Sequence, residues 1–253
     1  MHDKPRNHTP QRVLIIATSH AALGDTGDTT GLWLEELAAP YWAFVDAGME
    51  VDIASPIGGA VPYDPRSVGN EDTRTGLVER FLADQGAGAK IVASLPLDEV
   101  DLDRYDAVFL PGGHGTMWDF PDSRRLGDLV TEAFRRGLIV GAVCHGPAGL
   151  ISATKGDDSP LVQGRRISAF TNEEEREVGL DKVVPFLLED RLRDLGAHFE
   201  KGPPFEPFSV VDQNLVTGQN PQSSRLVAVN MIRALAGQIR REDEQAQVRN
   251  EAR

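Results

Sequence analysis

Short apolar runs alternate with amphipathic stretches along the chain. RVLIIAT (12–18) is a β-branched apolar run of strand length, and VDIAS (51–55), YDAVFLPGG (105–113) and LIVGAVC (138–144) repeat the pattern. Between them, GLWLEELAAPYWAFVDAG (31–48), a stretch near 74–85 and SRRLGDLVTEAFRRG (123–137) carry apolar residues at helical spacing. Pro40 should kink the first of these helices or start a new segment, and Gly48 should end it. Residues 19–31 and 56–70 hold too many Gly, Pro, Asp and Thr residues for regular structure. Farther on come RISAF (166–170), a helix near 183–195, AHFE (197–200), FSVV (208–211), NLVTG (214–218) and a helix from about 223 to 239.

Strands alternating with helices predict an α/β fold, a mostly parallel sheet covered on both faces, with a local antiparallel patch among the last short strands. No internal repeat or long linker is visible, so residues 1–253 are expected to form a single domain with flexible ends at 1–10 and 240–253. The Gly, Pro and charged content of 56–80 suits a mobile lid.

Bulk properties narrow the function classes. With 40% hydrophobic and 26% charged residues, the chain can bury a core. A net charge of −13 disfavours nucleic acid or an anionic membrane as a partner. No apolar run approaches the ~18 residues that would span a bilayer, and the polar start MHDKPRNHTPQR lacks a secretory apolar region. One cysteine allows no internal disulfide, so a cytoplasmic setting is expected. No Cys/His cluster has zinc-site spacing, and GGHGT lacks the lysine of a phosphate loop, so no metal and no cofactor are expected.

The chemistry concentrates at two strand ends. LIVGAVCHGPAGL runs a buried strand into Cys144, then His145, Gly146 and Pro147, with small residues that open a helix. This is a nucleophile elbow with Cys in place of Ser. A lone cysteine more often packs as a small core residue. The strand-end position and the His-Gly-Pro turn favour function instead. Helix-terminal amides are expected to lower the thiol pKa. PGGHGTMWDFP (111–121) ends a second strand, where Gly112 and Gly113 let backbone amides approach an oxyanion and His114 shapes the pocket. Trp118 and Phe120 are either pocket walls or core. His20 is a candidate for the site mouth, His198 in AHFE reads as structural, and His2 and His8 lie in the polar N-terminal arm.

Together, AVCHGPAGL, PGGHGTMWDFP, GLWLEELAAP and SAFTNEEE resemble the DJ-1/ThiJ/PfpI superfamily, and within it the Hsp31-like branch, over roughly residues 10–237. The resemblance implies a flavodoxin-like three-layer sandwich, a homodimer and a Cys-His-acid site. It places the nucleophile on Cys144 and its neighbour on His145. The acidic member falls on Glu175, with Glu174 next, two of the run Glu173–Glu175 being expected as a solvated helix start. A further acid on the first helix falls on Glu36, the adjacent Glu35 pointing about 100° away. The activity implied is a cofactor-independent glyoxalase acting on a small 2-oxoaldehyde, methylglyoxal, to give lactate. A Cys-dependent amidase, peptidase or deglycase, and a non-enzymatic stress chaperone or redox sensor, are the rival readings.

Overall fold

A computed structural model describes residues 10–69 and 75–237. The expected flexible ends, His2 and His8, and the end of the helix expected over 223–239 lie outside those residues. In chain order the elements are β1 (Arg12–Ile16), α1 (Leu34–Asp46), β2 (Glu50–Ser55), α2 (Pro65–Val68), α3 (Gly76–Ala83), α4 (Gln85–Val92), β3 (Leu95–Pro96), β4 (Ala107–Leu110), α5 (Thr116–Asp119) and α6 (Arg124–Arg135). Then follow β5 (Ile139–Val143), β6 (Arg166–Ile167), α7 (Asn172–Glu177), α8 (Leu188–Asp194), β7 (His198–Phe199), β8 (Ser209–Asp212), β9 (Leu215–Gly218) and α9 (Ser224–Leu235).

Seven strands form one sheet in the order β3-β2-β1-β4-β5-β9-β8. All neighbours run parallel except β8 against β9, the expected antiparallel patch. Strands β6 and β7 make a separate parallel pair. Successive side chains of a strand point to opposite faces. Val13 and Ile15 therefore join one core cluster, with α1 and α9, while Leu14 and Ile16 join the other, with α6. Both faces are covered, so the strands read as continuous apolar runs, and the layers are those of a flavodoxin-like sandwich. No helix among the described residues is long and apolar enough to cross a membrane.

Several expectations need correction. Pro40 lies inside one helix, α1, and starts no new segment. Its missing N–H withdraws the partner of the carbonyl four residues earlier, that of Glu36. The stretch 56–70 contains the short helix α2, capped by the Asp64 side chain on the Arg66 N–H. Beyond the expected helix near 74–85 lies a second, α4, capped by Asp84. Its QGAGAKIV sequence carries two glycines that mask the helical period. RISAF is strand only over Arg166–Ile167.

Candidate active site

Cys144 immediately follows β5, and the Gly-Gly turn follows its neighbour β4, so both lie at carboxyl ends of parallel strands. Cys144 has φ +59°, a left-handed conformation that costs a side chain free energy and is held by the surrounding packing. Its N–H donates to the Gly218 carbonyl and its carbonyl accepts from the Phe170 N–H. The elbow can close because residue 146 has no side chain: a Cβ there would lie 2.0 Å from the Leu110 carbonyl oxygen. A short 3-10 turn, Gly146–Leu150, follows, with Pro147 in its opening positions.

His145 Nδ1 lies 3.4 Å from Cys144 Sγ, and His145 Nε2 donates to Glu175 Oε2 at 2.7 Å. Glu175 Oε1 accepts from His114 Nε2 at 2.8 Å. One carboxylate thus fixes two imidazoles, whose centroids are 4.2 Å apart. These contacts hold Glu175 well below the ordinary carboxylate range despite its burial. Burial and the neighbouring His145 push His114 down, so its ring is neutral near pH 7.

Glu36 is fully buried on α1 and accepts the Gly112 N–H on Oε2 at 2.7 Å. Its Oε1 has no hydrogen-bond partner. Desolvation raises its pKa to about 8, although the nearby Cys144 thiol and the Gly112 N–H both act to lower it, so at neutral pH it carries a proton. Glu35 instead turns to the Thr75 hydroxyl. The thiol departs from expectation: its pKa is pushed well above the usual value. Burial is the main cause, reinforced by Glu36, Glu174 and Glu175. For a residue only 3% exposed, with three carboxyl groups raising its pKa, one short 3-10 turn does not yield a standing thiolate.

The oxyanion expectation also changes in part. Gly112 gives its N–H to Glu36 and so holds that carboxyl. Among the described residues no acceptor engages the amides of Gly113 and His145. Gly113, at φ +96°, sits so close to the chain at Gly31 and Trp33 that a Cβ would lie 2.3 Å from both.

Glu174 and Glu175 separate cleanly. Glu174 makes no hydrogen bond to the histidines and, among the described residues, accepts more hydrogen bonds than any other carboxylate. It accepts from the Thr171 N–H and hydroxyl, the Phe205 N–H, Gln219 and Asn220. Only Glu173 of the run is exposed, which corrects the expectation that two would be solvated. The saturated Glu174 anchors the loop that places Phe205, itself at φ +56°, against Phe170.

A cavity of about 490 Å³ opens over the thiol. Cys144, His145, His114, Gly113 and Glu36 line its floor, with Trp33, Phe170 and Phe205 among its apolar walls. Segments of the stretch 56–80 border it through Arg66, Leu77 and Val78. Arg66 is held by two bonds to the fully buried Asp64, which Thr30 also bonds. His20 does not line the cavity: it stacks on Trp118, and Phe120 is core. His198 is exposed on β7, away from the site. Phe205 and Asp64 come from loops and Arg66 from the four-residue α2, none of which carries a periodic signal. Phe170 and Trp33 lie within the family motifs, although neither stands out there as a wall.

His114, His145 and Glu175 each offer an atom within 4.8 Å of the others, a set able to hold a metal ion. Here the contacts are two hydrogen bonds that pair four atoms, each imidazole Nε2 with its own Glu175 oxygen.

Comparison with known proteins fits this arrangement. The sequence profile described as the DJ-1/PfpI family matches residues 30–234, and the chain belongs to that family. It is 33% identical to "Glutathione-independent glyoxalase HSP31" of Saccharomyces cerevisiae, covering 89% of this chain and 98% of that one. Among solved structures, the Rapid Encystment Protein of Francisella tularensis superposes with TM-score 0.85 at 36% identity, over 89% of this chain and 99% of that one. Glyoxalase III of Candida albicans superposes with TM-score 0.82 at 28% identity, over 88% and 97%.

Proposed function

We propose that this protein is a glutathione-independent glyoxalase that converts methylglyoxal and water to lactate. The observation that carries this reading is the pairing of a base and an acid about one thiol. His145 Nδ1 is 3.4 Å from Sγ, and the buried, proton-bearing Glu36 lines the same cavity as the thiol. Acyl transfer needs a nucleophile, a base and an oxyanion site. Moving a proton between adjacent carbons needs an acid as well, and Glu36 supplies it.

In the first step His145 takes the thiol proton as sulfur adds to the aldehyde carbon C1. The proton passes to the former carbonyl oxygen and a hemithioacetal results. The amides of Gly113 and His145 face the developing oxyanion. His145 then removes the C1 proton while Glu36 protonates the C2 oxygen, giving an enediol. Reprotonation at C2 and loss of the C1 hydroxyl proton leave a lactoyl thioester on Cys144. Water cleaves it to lactate and the thiol. Since the resting thiol keeps its proton, the nucleophile forms as substrate arrives. The names of the relatives in S. cerevisiae and C. albicans support the same substrate class.

A hydrolase acting on acyl or glycated groups is the second reading, favoured by the cavity of about 490 Å³, larger than methylglyoxal requires. A redox sensor fits less well, because the thiol is buried and its pKa raised. We further propose a cytoplasmic homodimer, which size-exclusion chromatography with light scattering tests. The function itself is tested by supplying methylglyoxal without glutathione to wild type, Cys144→Ala and Glu36→Gln. Wild type is expected to form lactate and Cys144→Ala none. Turnover of amide or glycated-amine substrates with no lactate from methylglyoxal would replace this reading with the hydrolase.

A further inference from the structure

His114 is held by one ring nitrogen and unused at the other. Its Nε2 donates to Glu175, which can only accept while ionised. In the neutral ring Nδ1 therefore carries a lone pair. That atom is buried and has no hydrogen-bond partner, although the residue lines the cavity. A buried acceptor left empty costs free energy, and the donor that fits it is an O–H group. His145 is fixed by the same carboxylate, but its Nδ1 already faces Sγ. The two lone pairs are thus divided: one addresses sulfur and the other does not.

Resting on the glyoxalase reading above, we infer that His114 is a second catalytic base, whose Nδ1 takes the proton of the water that hydrolyses the Cys144 thioester. The water oxygen bonds to the acyl carbon as His114 takes the proton. The carbon–sulfur bond breaks with its electron pair going to sulfur. The proton carried by His114 then reaches that thiolate through a solvent molecule, leaving lactic acid and the resting thiol. His145 is placed for the sulfur side of the reaction, and His114 supplies the base on the water side.

The test is a pair of variants. His114→Gln keeps an amide N–H for Glu175 and removes the Nδ1 lone pair. His114→Asn puts an acceptor oxygen near the Nδ1 position and gives up the Glu175 bond. Rapid quench with methylglyoxal and intact-mass analysis reads the acyl enzyme, and hydroxylamine, which needs no base, cleaves a thioester to its hydroxamate. His114→Gln is expected to lose about 100-fold in turnover, to accumulate a hydroxylamine-sensitive adduct on Cys144, and to release lactohydroxamate when hydroxylamine is added after free methylglyoxal has been removed. His114→Asn is expected to deacylate faster than His114→Gln. The inference is overturned if His114→Gln turns over normally, if it loses turnover with no trapped thioester, or if the order of the two variants is reversed. Absence of lactate from wild type would overturn the glyoxalase reading itself, and this inference with it.

Discussion

At the scale of single residues, the chemistry depends on where protons rest. Glu36 holds one that an exposed glutamate would release, because no water reaches it. Its raised pKa also sets a stability slope. Between the ordinary value of 4.5 and about 8, the unfolded chain releases this proton while the folded chain keeps it. Stability is therefore greatest below that window and falls as pH rises through it. Glu36→Gln removes the slope. We expect it to be more stable than wild type at pH 8 by on the order of 4 kcal/mol, with little gain at pH 4.5. Urea unfolding at both pH values checks this, and the same variant should lose at least ~100-fold in glyoxalase turnover. The thiol gives a second prediction. Iodoacetamide modification of Cys144 is expected to accelerate with pH to above pH 9, without a plateau near neutrality. A neutral plateau would mean a standing thiolate. Cys144, His145, Glu175 and Glu36 were all legible in the sequence through the strand-end turn and the family motifs. The direction of the thiol pKa was not. It depends on carboxyl groups brought in from α1 and α7, 108 and 30 or so positions away by the numbering of Glu36 and Glu174.

At the scale of elements, the site is built by turns whose tightness depends on missing side chains. Gly146 lets the elbow pass under the carbonyl of Leu110, where a Cβ would come within 2.0 Å of backbone. Backbone cannot yield as a flexible side chain can. Gly146→Ala is expected to cost about 3 kcal/mol, measured by urea unfolding, and to displace Cys144 enough to abolish turnover. Long periodic elements such as α1, α6 and β5 were readable because burial imposes their period. The two-residue strand β3 and the glycine-bearing α4 were not, because neither carries enough residues of one period. Glu174 was also opaque as an anchor. Its partners at 205, 219 and 220 are brought together only when the end of β9 and the loop before β8 dock.

At the scale of the whole molecule, one sheet is shared by two apolar clusters, and the site sits where β4 and β5 meet at their carboxyl ends. Alternation of runs and amphipathic stretches was enough to foresee this sandwich, since a parallel sheet needs both faces covered. The strand order was not foreseen, because β9 pairs with β5 across more than 70 intervening positions. A shared sheet leaves neither cluster able to unfold alone. Far-ultraviolet circular dichroism and tryptophan fluorescence are therefore expected to report one coincident thermal transition, and separated transitions would argue for more than one domain. The central claim is that a proton-bearing thiol, armed by His145 and assisted by Glu36, turns a 2-oxoaldehyde into lactate without glutathione. Proton NMR of purified protein with methylglyoxal, and no other thiol present, tests it most directly. Lactate signals should grow at the rate at which methylglyoxal is lost, and should be absent with Cys144→Ala. Methylglyoxal lost without lactate, or lactate formed equally well by Cys144→Ala, would contradict it.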